Sequence, residues 1–173
     1  MAVEIIQMED ISSSELELFY DNSSSIWFQH LSQWKEYTLN MRENGSEDFS
    51  FVISENNKIV AIVPLVKEYI FECQDKNEFS MSGFPSVYPA FLDTLSKNNK
   101  NKIEKLCFEE IFKIAKEEDI SYMNFYISPL SDAILNKDIT INPLSKFAFH
   151  DTTISTNILK LDKENDVAKH FVH

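Results

Sequence analysis

At 173 residues, 43% hydrophobic and 13% aromatic, the chain has enough apolar side chains for one domain with its own core, which excludes a disordered polymer. Its 28 acidic side chains against 16 basic ones give a net charge of −12. That balance disfavours nucleic acid as a partner, because phosphate binding depends on Lys and Arg neutralising the backbone.

In chain order, residues 3–8 form a short apolar run suited to a first strand, and residues 10–20 place serines ahead of acidic residues, the pattern of a short capped helix. Ser23, Ser24 and Ser25 are placed to cap a second helix over residues 25–39. There Ile26, Trp27, His30, Leu31, Trp34, Tyr37 and Thr38 recur at three- and four-residue steps. Gly45 is free to close that helix in a left-handed conformation. Residues 49–54 and 58–66 are β-rich and joined by Glu55, Asn56 and Asn57, a hairpin whose turn suits asparagine; Pro64 belongs late in its strand, at an edge or bulge. Residues 68–73 and 78–82 form a further pair.

Residues 83–89, with Gly83, Pro85 and Pro89, read as a loop carrying the aromatics Phe84 and Tyr88. Residues 90–95 suit a helix start, and the Lys- and Asn-rich residues 96–102 a solvated loop. Ile103, Leu106, Cys107, Glu110, Ile111, Ile114 and Ala115 outline an amphipathic helix to about residue 118. Residues 120–128 alternate as a strand, 133–136 suit a helical turn, and 147–161 read as a last strand. Residues 162–173 open a helix that has only just begun, as at the cut end of a longer protein. The first ten residues lack a basic segment followed by an apolar core, and no apolar run approaches the roughly 20 residues of a membrane span, so a cytoplasmic protein without a membrane-crossing helix is expected.

The order of strand, two helices, hairpin, strand pair, long helix and strands suggests an α+β fold with a mixed, mostly antiparallel central sheet flanked by helices. It resembles the N-terminal half of the FemAB-like acyltransferases, built from two tandem GNAT-like domains. Residues 26–34 (Ile-Trp-Phe-Gln-His-Leu-Ser-Gln-Trp) and 52–65, ending in Pro64 and Leu65, carry the likeness, together with the Gly83 loop, the helix over 103–118 and the strand at 122–127. The resemblance implies a GNAT-like N-terminal domain over residues 1–161, with 162–173 leading to a second GNAT-like domain of the same polypeptide. It implies acyl or aminoacyl transfer to an amine of a sugar or peptide, a modification of cell-envelope or sugar type. The donor, acyl-CoA or an aminoacyl carrier, would be held mostly by the second domain.

A GNAT domain receives acyl-CoA phosphates on backbone N–H groups at a helix N-terminus, reached through glycines. Gly45 and Gly83 are the only glycines and lie far apart, so no cofactor is expected to be bound by this segment alone. Phe84, Tyr88 and Tyr126 are the candidate acceptor-lining residues, with core packing as the plainer use of the aromatics. Trp27 and Trp34, seven residues apart, suit one helix face. Cys73 and Cys107 have apolar neighbours, which favours inert thiols over a disulfide, a metal site or a nucleophile. His30 reads as a structural histidine on an apolar face; His150 and Asp151 are adjacent, and strand alternation would point them apart. His170 and His173 make no more than a weak metal pair. No catalytic residue emerges. Two other expectations fit the same residues: a non-catalytic interaction module on a GNAT-like scaffold, and a complete small acyltransferase with an atypical cofactor loop.

Overall fold

The computed structural model describes residues 3–41, 45–70, 76–127 and 142–152. By internal contacts the chain divides into Met1–Thr140 and Ile141–His173. In the first unit, β1 (Val3–Gln7) leads to α1 (Ser13–Tyr20). Ser12 caps α1 as its serine-acid spacing suggests: its hydroxyl accepts the Glu15 N–H, and the Glu15 carboxylate accepts the Ser12 N–H.

The helix expected over 25–39 is shorter. Residues Phe28–His30 form a single 3-10 turn, Leu31 is extended (φ −75°, ψ 139°), and α2 spans Ser32–Met41. The break has a local cause: the His30 ring accepts the Trp27 N–H at 2.9 Å, closing a turn where a helix would have continued. Nor do the three serines cap it. Ser23 and Ser25 donate to the Phe91 carbonyl at 2.6 and 3.1 Å, and Ser24 donates to the Asp93 carboxylate through its N–H and its hydroxyl.

The strands that follow are β2 (Ser46–Asp48), β3 (Phe51–Glu55), β4 (Lys58–Val63), β5 (Val66–Tyr69), β6 (Asn77–Met81), β7 (Phe84–Val87) and β8 (Ala90–Phe91). Asn56 (φ 53°) and Asn57 (φ 61°) turn the β3–β4 hairpin with both central residues left-handed, the conformation that matches strand twist. Pro64 falls where β4 gives way to β5. One sheet runs β1-β3-β4-β8. After α3 (Lys97–Glu117) come β9 (Tyr122–Met123) and β10 (Phe125–Tyr126), and a second sheet runs β10-β7-β6-β5-β2, with β9 beside β6. Pairing is antiparallel except where β9 meets β6 and β10 meets β7. The fold is α+β, mixed and mostly antiparallel, as expected.

Three further sequence expectations need correction. Residues 84–87 are a strand rather than a loop, because the turn before them is tight: the buried Glu68 carboxylate accepts the Ser82 N–H at 2.7 Å, the Gly83 N–H at 3.1 Å and the Ser80 hydroxyl at 2.5 Å. Residues 90–91 pair with β4 instead of starting a helix. Residues 97–102 are the first turns of α3, since the Ser96 hydroxyl accepts the Asn99 N–H and supplies the cap.

The core covers both faces of the β3–β4 hairpin, whose consecutive residues are buried, with α3 and α1 each packed against β4. Ile103, Cys107, Phe108, Ile111 and Ile114 form one buried stripe on α3, and Phe51, Val52, Ile53, Ala61, Ile62, Val63, Phe79 and Met81 are buried on the strands. Each large side chain removed from water contributes about 1.5–3 kcal/mol. In the second unit, Asn142 caps a 3-10 turn over Pro143–Phe147 by accepting the Leu144 N–H at 3.0 Å, and Ala148 is left-handed (φ 65°). The expected strand at 147–161 therefore begins in a turn; residues 153–161 lie outside the described residues. So do the expected helical turn at 133–136, the helix start at 162–173, Cys73, His170 and His173.

Candidate functional site

Strands β7 and β10 run parallel, with Ser86 beside Phe125 and Val87 beside Tyr126. Among the described residues their last hydrogen bond is from the Tyr88 N–H to the Tyr126 carbonyl, 2.9 Å. Pro89 then carries the chain away into β8, which joins β4, so the two parallel strands part at Tyr88 and Tyr126. The carboxyl ends of parallel strands, at a point where neighbours diverge, are where open α/β sheets characteristically hold ligands.

Four side chains from two other segments converge on this parting. His30 Nδ1 accepts the Trp27 N–H, which places the ring proton on Nε2, and Nε2–H donates to the Tyr88 carbonyl at 3.0 Å. Gln29, 1% exposed, donates through Nε2 to the Pro85 carbonyl at 3.2 Å and accepts the Tyr126 hydroxyl at Oε1. Glu104, buried on α3, accepts the Tyr88 hydroxyl. Cys107 lies one helical turn further along α3 and is a free, buried thiol. The turn at 28–30 thus bolts β7 and β10 together at the point where they separate.

The electrostatics hold Tyr88, Tyr126, Cys107 and His30 uncharged. Burial pushes the Tyr88 hydroxyl well above its usual range, and the neighbouring Glu104 charge adds to the shift. Burial raises Tyr126 to about 12, with the nearby Trp27 indole pulling it partly back. Burial raises the Cys107 thiol, again reinforced by Glu104. Burial lowers His30 to about 4 against the pull of its two backbone partners. A protonated thiol is a poor nucleophile, and a histidine whose two nitrogens are both engaged is a poor base. The chemistry this arrangement supports is positioning.

The start of α3 does not suit a diphosphate. The residues ahead of it, Leu92 to Ser96, contain no glycine. Asp93 accepts from Ser24, its N–H goes to the Asn22 carbonyl at 3.2 Å, and Ser96 takes up the Asn99 N–H. A carboxylate beside a helix start that is already capped does not fit the phosphates of coenzyme A. Among the described residues there is also no group of three or more His, Cys, Asp or Glu placed to hold a metal ion, and no helix long and apolar enough to cross a membrane.

Of the three residues singled out from sequence, Tyr88 and Tyr126 meet at the parting, Tyr88 turned to α3 and Tyr126 to Gln29. Phe84 sits at the far end of β7, 55% exposed, its ring 6.4 Å from that of Trp34. Trp27 and Trp34 do not share a helix face, because Trp27 precedes the turn. His150 and Asp151 are both exposed, and Asp151 accepts from the Asn142 amide. Glu104 and Gln29 were missed. A signal existed for Glu104, which falls three residues before Cys107 and four before Phe108 and so lies on the apolar stripe of its helix. For Gln29 the signal is a lone amide in an aromatic run.

The chain matches no family model and no curated protein sequence. Among solved structures it superposes on the aminoglycoside N-acetyltransferase AAC(6')-Iy in complex with CoA, with a TM-score of 0.53 and 11% identity over 92% of this chain and 95% of that one. It also superposes on a possible acetyltransferase from Clostridium difficile 630, with a TM-score of 0.52 and 14% identity over 94% of this chain and 99% of that one. At these identities the likeness establishes the fold, which is that of the GNAT acetyltransferases.

Proposed function

We propose that the chain is the acceptor-side, N-terminal half of a FemAB-like N-acyltransferase, a cytoplasmic enzyme that moves an acyl or aminoacyl group onto an amine of a sugar or peptide. The fold is that of acetyltransferases, one of them an aminoglycoside N-acetyltransferase in complex with CoA. The observation that carries the assignment to the acceptor side is the start of α3, capped by Ser96 and shielded by the Asp93 carboxylate, with no glycine nearby. A second GNAT-like domain of the same polypeptide would then hold the donor.

In the reaction, the acceptor nitrogen bonds to the acyl carbonyl carbon, the carbon–sulfur or carbon–oxygen bond to the carrier breaks, and the proton shed by the amine leaves with the carrier. This chain's part is orientation, which converts a bimolecular encounter into a near-unimolecular step. Tyr88 and Tyr126 stand where the strands part, held by Glu104, Gln29 and His30. Tyr88, Tyr126, Cys107 and His30 are held neutral at that point, so none of these four takes the proton shed by the amine.

Calorimetric titration of this chain with acetyl-CoA tests the proposal: no saturable binding is expected below about 1 mM. The second reading, a complete small acetyltransferase, is favoured by the 95% and 99% coverage of the two solved chains. Micromolar binding would establish it in place of the first.

A further inference from the structure

The hydrogen bonds at the parting fix which way each hydroxyl proton points. The Pro85 carbonyl can only accept, so the Gln29 amide turns its nitrogen to it at 3.2 Å and its Oε1 to the Tyr126 hydroxyl. An amide oxygen can only accept in its turn, so Tyr126 is the donor. Gln29 is 1% exposed, and a flipped amide would set its oxygen against the Pro85 oxygen with no proton between them. The neighbouring Trp27 indole N–H can donate but never accept, and among the described residues it makes no hydrogen bond. It therefore leaves the direction of the Tyr126 proton unchanged.

The same polarity holds at β7. The Tyr88 hydroxyl donates to Glu104, and His30 Nε2–H donates to the Tyr88 carbonyl. Both phenol protons are thus committed to side chains of the protein, and both phenol oxygens remain as acceptors. The Tyr88 ring is walled by Phe91 and Phe108, with centroids 6.0 and 6.1 Å away. Tyr126 is half-buried and is the last residue of β10, so its oxygen is the one placed to meet a ligand at the opening.

This direction matters to an amine nucleophile, whose nitrogen lone pair must stay free to attack the acyl carbon. A hydroxyl that donated to the nitrogen would occupy that pair. A hydroxyl oxygen that accepts from an N–H leaves the pair free and fixes where it points. Burial raises Tyr126 to about 12, so the phenol keeps its own proton while it does this.

We infer that Gln29 is a positioning residue that locks the Tyr126 hydroxyl as a hydrogen-bond acceptor, and that Tyr126 holds the acceptor amine by an N–H with the nitrogen lone pair turned to the acyl carbon. This role rests on the acceptor-side reading and names the residue that meets the acceptor nitrogen.

The test is NMR of the chain, followed at the backbone amides around the parting and at the tyrosine rings, during titration at about pH 7.5. The probes are glucosamine and alaninamide, each against its N,N,N-trimethyl derivative, which is cationic but carries no N–H on that nitrogen. Saturable shifts at Tyr126 are expected with at least one of the two amines below about 50 mM, and its trimethyl derivative should bind at least about fivefold more weakly. Tyr126→Phe should weaken the amine about fivefold and leave the two forms binding alike. A steric penalty on the methyl groups would survive that substitution, whereas an N–H preference would not. Gln29→Met removes the accepting oxygen and frees the hydroxyl to turn, so the preference should shrink to within about twofold; a merely structural glutamine would weaken both forms equally and keep it. If Gln29→Met loses the wild-type amide spectrum, the conservative Tyr126→Phe decides. The role is overturned if neither amine shifts the Tyr126 signals at about 50 mM, if the trimethyl forms bind as tightly as their parents, or if a folded variant keeps the wild-type preference. Any of these without acetyl-CoA binding would leave the acceptor-side reading standing. An intact N–H preference together with micromolar acetyl-CoA binding would keep the role and remove that reading.

Discussion

His30 gives the sharpest stability prediction. Its ring is 1% exposed as part of a residue that bridges the Trp27 N–H and the Tyr88 carbonyl, and its pKa falls from an ordinary 6.5 to about 4 because burial disfavours the imidazolium. Between those values the unfolded chain binds more protons than the folded one, so acid favours unfolding. The stability supplied by the neutral ring is complete above the unfolded value and is lost as pH falls toward the folded one. The full gap corresponds to about 3 kcal/mol, of which about 2 kcal/mol is gone by about pH 5. That is a large fraction of the 5–15 kcal/mol of a typical domain. Urea unfolding at about pH 7.5 and about pH 5, on the wild type and on His30→Gln, isolates the term, since carboxylates common to both proteins cancel in the difference. The variant should start less stable and lose about 2 kcal/mol less on acidification. Equal losses in the two proteins, or an imidazole that titrates above about pH 6 by NMR, would refute the reasoning.

Two further expectations concern buried groups. Glu68→Ala removes the acceptor for the Ser82 and Gly83 N–H groups and should cost about 3 kcal/mol in urea unfolding, with hydrogen exchange accelerated at those two amides; an unchanged stability would show that the carboxylate does not hold the β6–β7 turn. Cys107 should be inert to a thiol-specific disulfide reagent in the native state and react once urea unfolds the chain, so Cys107→Ser should leave native-state labelling unchanged.

Much of the fold was legible because local chemistry and tertiary structure agree. The Asn56–Asn57 turn, the Ser12 cap and the apolar stripe from Ile103 to Ala115 are local signals that nothing distant overrides. The misreadings share another physics. Ser23, Ser24 and Ser25 look like helix caps, yet their partners, Phe91 and Asp93, lie almost seventy residues away. Residues 84–87 look like a loop because Gly83 and Pro85 punctuate them, but a buried carboxylate from β5 tightens the turn and leaves Pro85 in a short strand. The helix expected over 25–39 breaks at His30 because its ring is needed at Tyr88, just past the end of β7, a partner that periodicity cannot see. The site shows the same division. Tyr88 and Tyr126 were found as aromatics, whereas Gln29 and Glu104, which position them, become visible once β7, β10 and α3 are brought together.

The central claim is that the donor's diphosphate is held elsewhere than at the start of α3. Backbone amide NMR of the chain during addition of coenzyme A tests it at the atoms concerned. The N–H signals of Lys97, Asn98, Asn99 and Lys100 should stay in place up to about 1 mM. Saturable shifts centred on those four amides would contradict the account.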